Sequence, residues 1–74
     1  MSRRFTLRQL EYFVAVGEEG SIARASARVN VSSPSISAAI SHLEDEFGLP
    51  LFVRKHAHGL SLTQAGRQFM AQAR

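Results

Sequence analysis

The stretch that decides the fold runs from Ile22 to Ser41 and reads IARASARVNVSSPSISAAIS. Counted from Ile22, a helix-turn-helix unit needs apolar residues at positions four, eight, ten and fifteen, a small fifth residue and a ninth residue that bends the backbone. The sequence supplies them as Ala25, Val29, Val31, Ile36, Ser26 and Asn30. The small residue lets two helices cross closely, and asparagine tolerates a left-handed turn. The spacing therefore predicts a helix-turn-helix over residues 22–41.

Ahead of this unit, Thr6 and Gln9 have the spacing of a capping box. We therefore predict a helix that begins at Leu7 and stops at Gly20. Phe5 precedes the cap and is placed to pack onto Leu10. Helical spacing predicts the inward positions of this helix as Leu7, Leu10, Phe13, Val14 and Gly17.

Two further caps define the helices of the central unit. Ser21 is predicted to cap a short helix that ends in the turn. Ser33 followed by Pro34 predicts an N-cap and a first helical residue, where the missing N–H of proline is no loss. This third helix should span residues 34–47 and end at Gly48. The inward sets are Ile22, Ala25 and Val29 in the shorter helix, and Ile36, Ile40, Leu43 and Phe47 in the longer one.

The C-terminal part predicts a hairpin and a fourth helix. Residues 51–54 and 60–62 have the pattern of two short strands around a loop that contains glycine. An isolated hairpin is marginal in water, so this one should lean on the helices. Thr63 is predicted to cap a last helix that is still running where the chain stops, with a stripe formed by Gly66, Phe69, Met70 and Ala73.

Length and composition limit the possible classes of protein. The 74 residues allow one small domain and exclude a second independent core. The chain has no cysteine, which excludes disulfides, thiolate metal sites and a cysteine nucleophile. It has no apolar run of about 18 residues, and residues 1–6 lack the apolar core of a signal peptide. We therefore expect a soluble, cytoplasmic protein.

The charges are unevenly distributed. Nine Lys and Arg against six Asp and Glu give a net charge of +3, and all the acids lie between Glu11 and Glu46. Residues 47–74 contain four cations and no carboxylate. This asymmetry suggests a polyanion such as nucleic acid as partner. Small soluble domains are also often slightly basic without such a partner, so charge alone leaves both interpretations open.

With the apolar stripe inward, a helical wheel places small, uncharged residues on the outer face of the third helix. Serine hydroxyls there can donate to or accept from base edges, and an alanine methyl can touch thymine. Serines near a helix start also serve as caps, which is the structural alternative for Ser33. The acids Glu44, Asp45 and Glu46 lie at the far end of the helix. The outer face consists of Ser35, Ser37, Ala38, Ser41 and His42.

The hairpin carries uncompensated positive charge. Arg54 and Lys55 precede a loop that contains His56 and His58. A basic hairpin beside such a helix is typical of the wing of a winged helix, which contacts backbone phosphates. The two histidines have no third ligand in the sequence, so we predict no metal site.

These residues resemble the N-terminal winged helix-turn-helix domain of LysR-type bacterial transcription regulators. The resemblance covers nearly the whole chain through ordered blocks: Leu7-Arg8-Gln9-Leu10, Tyr12-Phe13-Val14-Ala15-Val16, Gly20-Ser21, Val31-Ser32, Ser37 with Ile40, Leu43-Glu44, Gly48, Leu51-Phe52, Arg54, Leu62-Thr63 and Ala65-Gly66. It implies a mainly α fold with a three-helix core, a two-stranded β wing and a C-terminal linker helix. The winged domain then spans residues 5–62, with the wing at 51–62, and the linker helix begins over 63–74.

The resemblance also implies that the third helix reads the major groove and that the wing contacts the backbone. By motif position these roles fall on Ser33, Pro34, Ser35, Ser37, Ala38 and Arg54. Together with the outer face and the basic loop, the expected DNA-binding set is Ser33, Pro34, Ser35, Ser37, Ala38, Ser41, His42, Arg54, Lys55 and His58. The chain departs from many relatives, which carry Gln at the position of Ser33 and Arg-Gln at Ala38-Ala39. The wing is also one residue longer than is common.

For the last helix, the resemblance implies pairing of two subunits through Gly66, Phe69, Met70 and Ala73. A ligand-sensing domain that binds a small-molecule co-inducer would follow in the complete protein, for which the resemblance allows a dimer or a tetramer. No cofactor is expected in this part. The alternative for the stripe is that it packs back onto the first helix.

Two other classes of function were weighed against DNA binding. A winged-helix protein-interaction module should show an exposed apolar or aromatic patch on the outer face of the third helix, where this sequence has serines. An enzyme is not predicted, because the only histidine with an acid at helical spacing is His42 with Glu46, which we interpret as a solvated pair.

Overall fold

The computed structural model of the chain describes residues 6–55 and 59–73. Its elements in chain order are α1 (Leu7–Glu19), α2 (Ile22–Val29), α3 (Ser33–Phe47), β1 (Phe52–Arg54), β2 (Leu60–Leu62) and α4 (Gln64–Ala73). The strands pair antiparallel, with Phe52 opposite Leu62 and Arg54 opposite Leu60. The predicted fold class, a three-helix core with a two-stranded wing and a C-terminal helix, is confirmed.

The predicted ends of α1 are confirmed. The Gln9 N–H donates to Thr6 Oγ1 over 3.1 Å, and the Thr6 N–H donates to Gln9 Oε1 over 2.9 Å. Gly20 ends the helix in the left-handed region with φ 74°. The predicted contact of Phe5 with Leu10 lies outside the described residues.

The turn of the helix-turn-helix also follows the prediction. The Arg24 N–H donates to Ser21 Oγ over 3.1 Å, which caps α2. Asn30 ends α2 with φ 60° and is the one non-glycine residue with positive φ among those described. Since asparagine adopts this region more readily than most residues, α3 is aimed away from α2 at little strain.

The predicted start of α3 is wrong by one residue. The N-cap is Ser32, whose backbone is extended and whose Oγ accepts from the Ser35 N–H over 3.4 Å. The Ile36 N–H donates to the Ser32 carbonyl over 3.2 Å, so Ser33 already belongs to the helix. Pro34 stands at the second helical position, where an N–H would also lack a partner within the helix, so the proline is equally well tolerated there.

The hydrophobic core lies where the four helices and the start of the wing meet. Phe13 is fully buried, and its ring centroid lies 5.3 Å from that of Phe52 and 4.8 Å from that of Phe69. The other core residues are Ala15, Val16, Ala25, Ile36, Ile40, Leu43, Leu51 and Met70.

Two residues of the predicted inward stripes are exposed. Leu7 is 79% exposed because the first turn of α1 lies at the margin of the packed helices, whereas Ala15 and Val16 further along are buried. Phe47 is 39% exposed at the end of α3, where its ring meets that of Phe69 edge-on at 4.6 Å. Among residues 6–55 and 59–73, no helix has the length and apolarity that crossing a membrane requires.

Candidate nucleic-acid interface

The N-terminal half of α3 presents an exposed surface of small side chains. We call this surface the reading face; its residues are Pro34, Ser35, Ser37, Ala38 and Ser41, all of them exposed. Ser33 and His42 border it and are half-buried. Ile36, Ala39 and Ile40 are buried on the opposite side of the helix. Two turns of α3 therefore combine a firmly packed inner side with an outer side that another surface can approach closely.

The serines of the reading face differ in what their hydroxyls do. Ser35 Oγ lies 2.9 Å from the Oγ of the cap Ser32, so capping accounts for part of its role. Within residues 6–55 and 59–73, the side chains of Ser37 and Ser41 make no hydrogen bond. Their hydroxyls are therefore available to an outside partner, and the capping alternative does not explain them.

The wing brings a cation next to these serines. Arg54 ends β1, and Arg54 and Lys55 are both exposed. The Lys55 N–H donates to the Gly59 carbonyl over 3.0 Å and closes the described part of the loop. The predicted contact His58, like His56, lies outside the described residues.

A cleft of about 260 Å³ separates α3 from the wing. Its polar lining comes from Ser37, Ser41, Glu44 and Arg54, over an apolar floor. We call this the wing cleft. It brings together residues of the third helix and of the wing that were predicted separately as DNA contacts. No carboxylate in the described part of the chain lies within ion-pair distance of Arg54.

Glu44 has a role that the sequence did not predict. Its Oε2 accepts hydrogen bonds from the backbone N–H groups of Leu51, over 2.7 Å, and Phe52, over 3.3 Å. The carboxylate thus fastens the start of the wing to α3. One feature of the sequence could have indicated this role. Glu44 follows buried Ile40 by one helical turn, so Glu44 lies at the border of the apolar stripe, whereas Asp45 is exposed.

The base of the wing is also fixed from the side of α4. The Thr63 N–H donates to the Leu51 carbonyl over 3.0 Å, and Thr63 Oγ1 donates to the Pro50 carbonyl over 2.7 Å. The Leu60 N–H donates to the Gly20 carbonyl over 2.9 Å, which ties β2 to the end of α1. The wing therefore has a defined position relative to the reading face.

Two acids at the end of α1 form ion pairs with arginines of α2. Arg28 Nη1 lies 2.8 Å from Glu18 Oε1 and 3.4 Å from Glu19 Oε2, and Arg24 pairs with Glu19 at 3.7 Å. The hydrogen bond to Glu18 raises the pKa of Arg28 above its usual value. These pairs link α2 to the end of α1. The arginines of α2 are therefore engaged, whereas Arg54 and Lys55 have no carboxylate partner among residues 6–55 and 59–73.

Most of the stripe of α4 packs within this chain. Gly66 is buried, and a Cβ at this position would lie 2.2 Å from the Leu51 carbonyl oxygen. Met70 is buried against Gly17 of α1, and the Phe69 ring contacts those of Phe13 and Phe47. The alternative, packing onto the first helix, describes Met70 and part of the Phe69 contact, whereas Gly66 packs against Leu51. Ala73 is half-buried at the edge of a groove of about 410 Å³ that also contains Leu7, Leu10 and Val14.

The sequence matches a known protein family. Residues 7–67 match the family model described as bacterial regulatory helix-turn-helix protein, lysR family. The chain is 48% identical over 67 residues to the HTH-type transcriptional regulator ClcR of Pseudomonas putida, covering 90% of this chain and 22% of that protein. It is 44% identical over 71 residues to the HTH-type transcriptional regulator XapR of Escherichia coli K12, covering 96% of this chain and 24% of that protein.

Solved structures with the same fold include DNA complexes. The CbnR_DBD–DNA complex superimposes with a TM-score of 0.87 at 42% identity, covering 93% of this chain and 78% of that one. The BenM_DBD/catB site 1 DNA complex gives a TM-score of 0.87 at 36% identity, covering 93% of this chain and 76% of that one. The chain thus covers about three quarters of the protein chains in these two complexes and less than a quarter of the length of the curated relatives named above.

Proposed function

The chain belongs to the lysR family of bacterial regulatory helix-turn-helix proteins, and on that premise we propose that it binds double-stranded DNA sequence-specifically as the reading head of a transcription regulator. The observation that carries the proposal is the reading face itself. It is exposed, small and uncharged, and Arg54 of the wing, which has no carboxylate partner among the described residues, lies beside it across one cleft. Such a surface suits a base-lined groove bounded by phosphates.

In this proposal the N-terminal half of α3 enters the major groove. The hydroxyls of Ser37 and Ser41 meet base edges, and the methyl of Ala38 meets thymine. Ser33, Pro34, Ser35 and His42 line the approach. Arg54 and Lys55, with His58 further along the loop, contact backbone phosphates and set the orientation without reading sequence. Since α3 has no Arg or Lys, its base contacts lack bidentate guanidinium pairs. Arg54 therefore supplies a larger share of the binding free energy than it would beside a helix that carried such pairs.

The exposed apolar side chains argue against the alternative of a protein-interaction module. Such a module should carry its apolar patch on the outer face of α3. The large apolar residues that are exposed in the described parts of the chain are Leu7, Phe47, Leu49 and Val53. None of them lies on the reading face, which supports a polar partner for that surface.

We also propose that the complete regulator is a cytoplasmic homodimer paired through α4, with a separate domain that binds a small-molecule co-inducer. The length of ClcR supports the separate domain, because this chain matches only 22% of that protein. Gly66, Phe69 and Met70 would contribute by holding α4 in place on its own subunit, while half-buried Ala73 lies at the edge where a second subunit can reach it.

Selection from a random duplex library, followed by anisotropy titrations at several KCl concentrations, tests the proposal. The chain should enrich one family of sequences. Arg54→Gln should weaken binding to selected and random duplexes alike and lower the log–log salt slope by about 0.9, because one phosphate contact is lost.

Arg67→Gln is the matched control for this substitution. It removes the same charge from α4, where Arg67 Nη1 donates to the Leu62 carbonyl over 3.1 Å, and it should leave the slope unchanged. Failure to enrich any sequence, with equal affinity for all duplexes, would refute sequence-specific recognition.

A further inference from the structure

A second cleft adjoins the reading face on the side away from the wing. It has a volume of about 520 Å³ and lies between the start of α1 and the outer side of α3. No residue of α3 lines both this α1–α3 cleft and the wing cleft, so the two clefts flank the reading face. The α1–α3 cleft is lined by Thr6, Arg8, Gln9, Tyr12, Ser35, Ala38, Ala39 and His42.

The α1–α3 cleft carries one permanent cation and no acid in its lining. Arg8 is exposed on the first turn of α1. Within residues 6–55 and 59–73, no carboxylate lies within ion-pair distance of Arg8. The nearest acid along α1, Glu11, lines a different groove, the one that contains Leu7 and Ala73. The Arg8 guanidinium is therefore available to an anion from outside the chain.

The walls of this cleft favour an anion at a fixed position. The capping box between Thr6 and Gln9 fixes the turn that carries Arg8. Across the cleft, Ala38 and Ala39 have only methyl side chains, so α3 leaves room for a group as large as a phosphate. The exposed Ser35 hydroxyl adds a polar group on the opposite wall.

We propose that Arg8 binds a backbone phosphate of the DNA on the side of the reading face opposite Arg54. The inference rests on the proposed function, because α3 must enter the major groove for either cleft to meet DNA. The two strands that border this groove place phosphates on both sides of an inserted helix. The wing cation serves one border and Arg8 serves the other, so α1 supplies the cation that α3 lacks. A guanidinium suits this role because it binds phosphate with two parallel hydrogen bonds.

The test uses the duplex that the wild-type chain selects from a random library. Arg8→Gln should lower the log–log salt slope by about 0.9 and weaken binding to selected and random duplexes by similar factors. Arg8→Lys should keep the slope, because the charge remains. Phosphate-ethylation interference should identify one phosphate whose modification weakens the wild-type chain and has no further effect on Arg8→Gln, distinct from the phosphate lost with Arg54→Gln.

Arg67→Gln, which removes the same charge from α4, distinguishes a contact from a general loss of charge, and it should leave slope and interference pattern unchanged. Thermal unfolding of Arg8→Gln should match the wild type, because Arg8 is exposed. If Arg8→Gln retains the wild-type slope and interference pattern while the wild type selects a sequence, this inference is refuted and the proposed function stands. If the wild type selects no sequence, the proposed function fails first.

Discussion

The two halves of α3 have opposite surroundings. The N-terminal half carries the reading face, whose side chains are exposed and small, and the hydroxyls of Ser37 and Ser41 are without partners within the described residues. The C-terminal half is tied to the rest of the domain, through Glu44 to the wing and through Phe47 to Phe69 of α4. One helix thus separates recognition from attachment along its length, and substitutions in the two halves should have different effects.

The largest loss of stability should come from a substitution on the buried side of α3, which both halves of the helix share. Leu43 is fully buried, so Leu43→Ala removes apolar contacts and leaves a cavity. We expect a loss of about 3 kcal/mol in the free energy of unfolding, measured by urea denaturation. A domain of this size has little stability in reserve, and DNA binding should fall with the folded fraction. The exposed control Ser41→Ala should change stability by less than about 0.5 kcal/mol. Equal losses in both variants would contradict the division of α3 into an inner and an outer side.

An intermediate effect is expected for the attachment of the wing. Glu44→Gln keeps the shape of the side chain but replaces charge-assisted hydrogen bonds to Leu51 and Phe52 with neutral ones. The expected loss is about 1 kcal/mol in the free energy of unfolding, with faster amide hydrogen exchange at Leu51 and Phe52.

Asp45→Asn is the matched control for Glu44→Gln, since it removes one charge from the exposed neighbouring position. It should leave exchange at the wing unchanged. Equal protection of Leu51 in wild type and Glu44→Gln would show that the charge of Glu44 adds nothing to the attachment of the wing.

The smallest effect on stability, and the most selective effect on binding, should come from the reading face. Ser37→Ala removes an exposed hydroxyl without disturbing the core, so the urea midpoint should stay within error. Selection repeated with this variant should relax the preference at one base pair of the selected site, whereas Arg54→Gln should leave the preference intact and weaken all sequences. If affinity falls equally for all sequences and the base preference is unchanged, Ser37 contacts the DNA backbone and does not read a base.

Much of the fold and part of the interface could be predicted from the sequence. The helix-turn-helix spacing placed α2, the turn at Asn30 and the inward residue Ile36 correctly, and the helical period of α3 added Ile40. The outer residues of α3 followed from the same periodicity. The start of α3 was missed by one residue because Ser32 and Ser33 are both good caps, and the choice depends on which carbonyl accepts the first helical hydrogen bond.

The errors concern contacts between segments that are distant in the sequence. Leu7 and Phe47 fit an apolar stripe, yet their exposure depends on how far the neighbouring elements extend. The stripe of α4 is compatible with subunit pairing and with internal packing, and only the structure places Met70 against Gly17. Arg8 was not singled out, because only the packing of α1 against α3 brings it beside the reading face.

The sequence by itself determined the helix ends to within one residue and the left-handed turns at Gly20, Asn30 and Gly48. Caps and left-handed turns depend on hydrogen bonds and sterics within about four residues, and that information is local. Tertiary structure alone decided that Glu44 fastens the wing and that Arg8 and Arg54 lie in clefts on either side of α3. The physical reason is that these relations depend on packing between residues far apart in the chain, where many arrangements share the same periodicity and only close packing selects one.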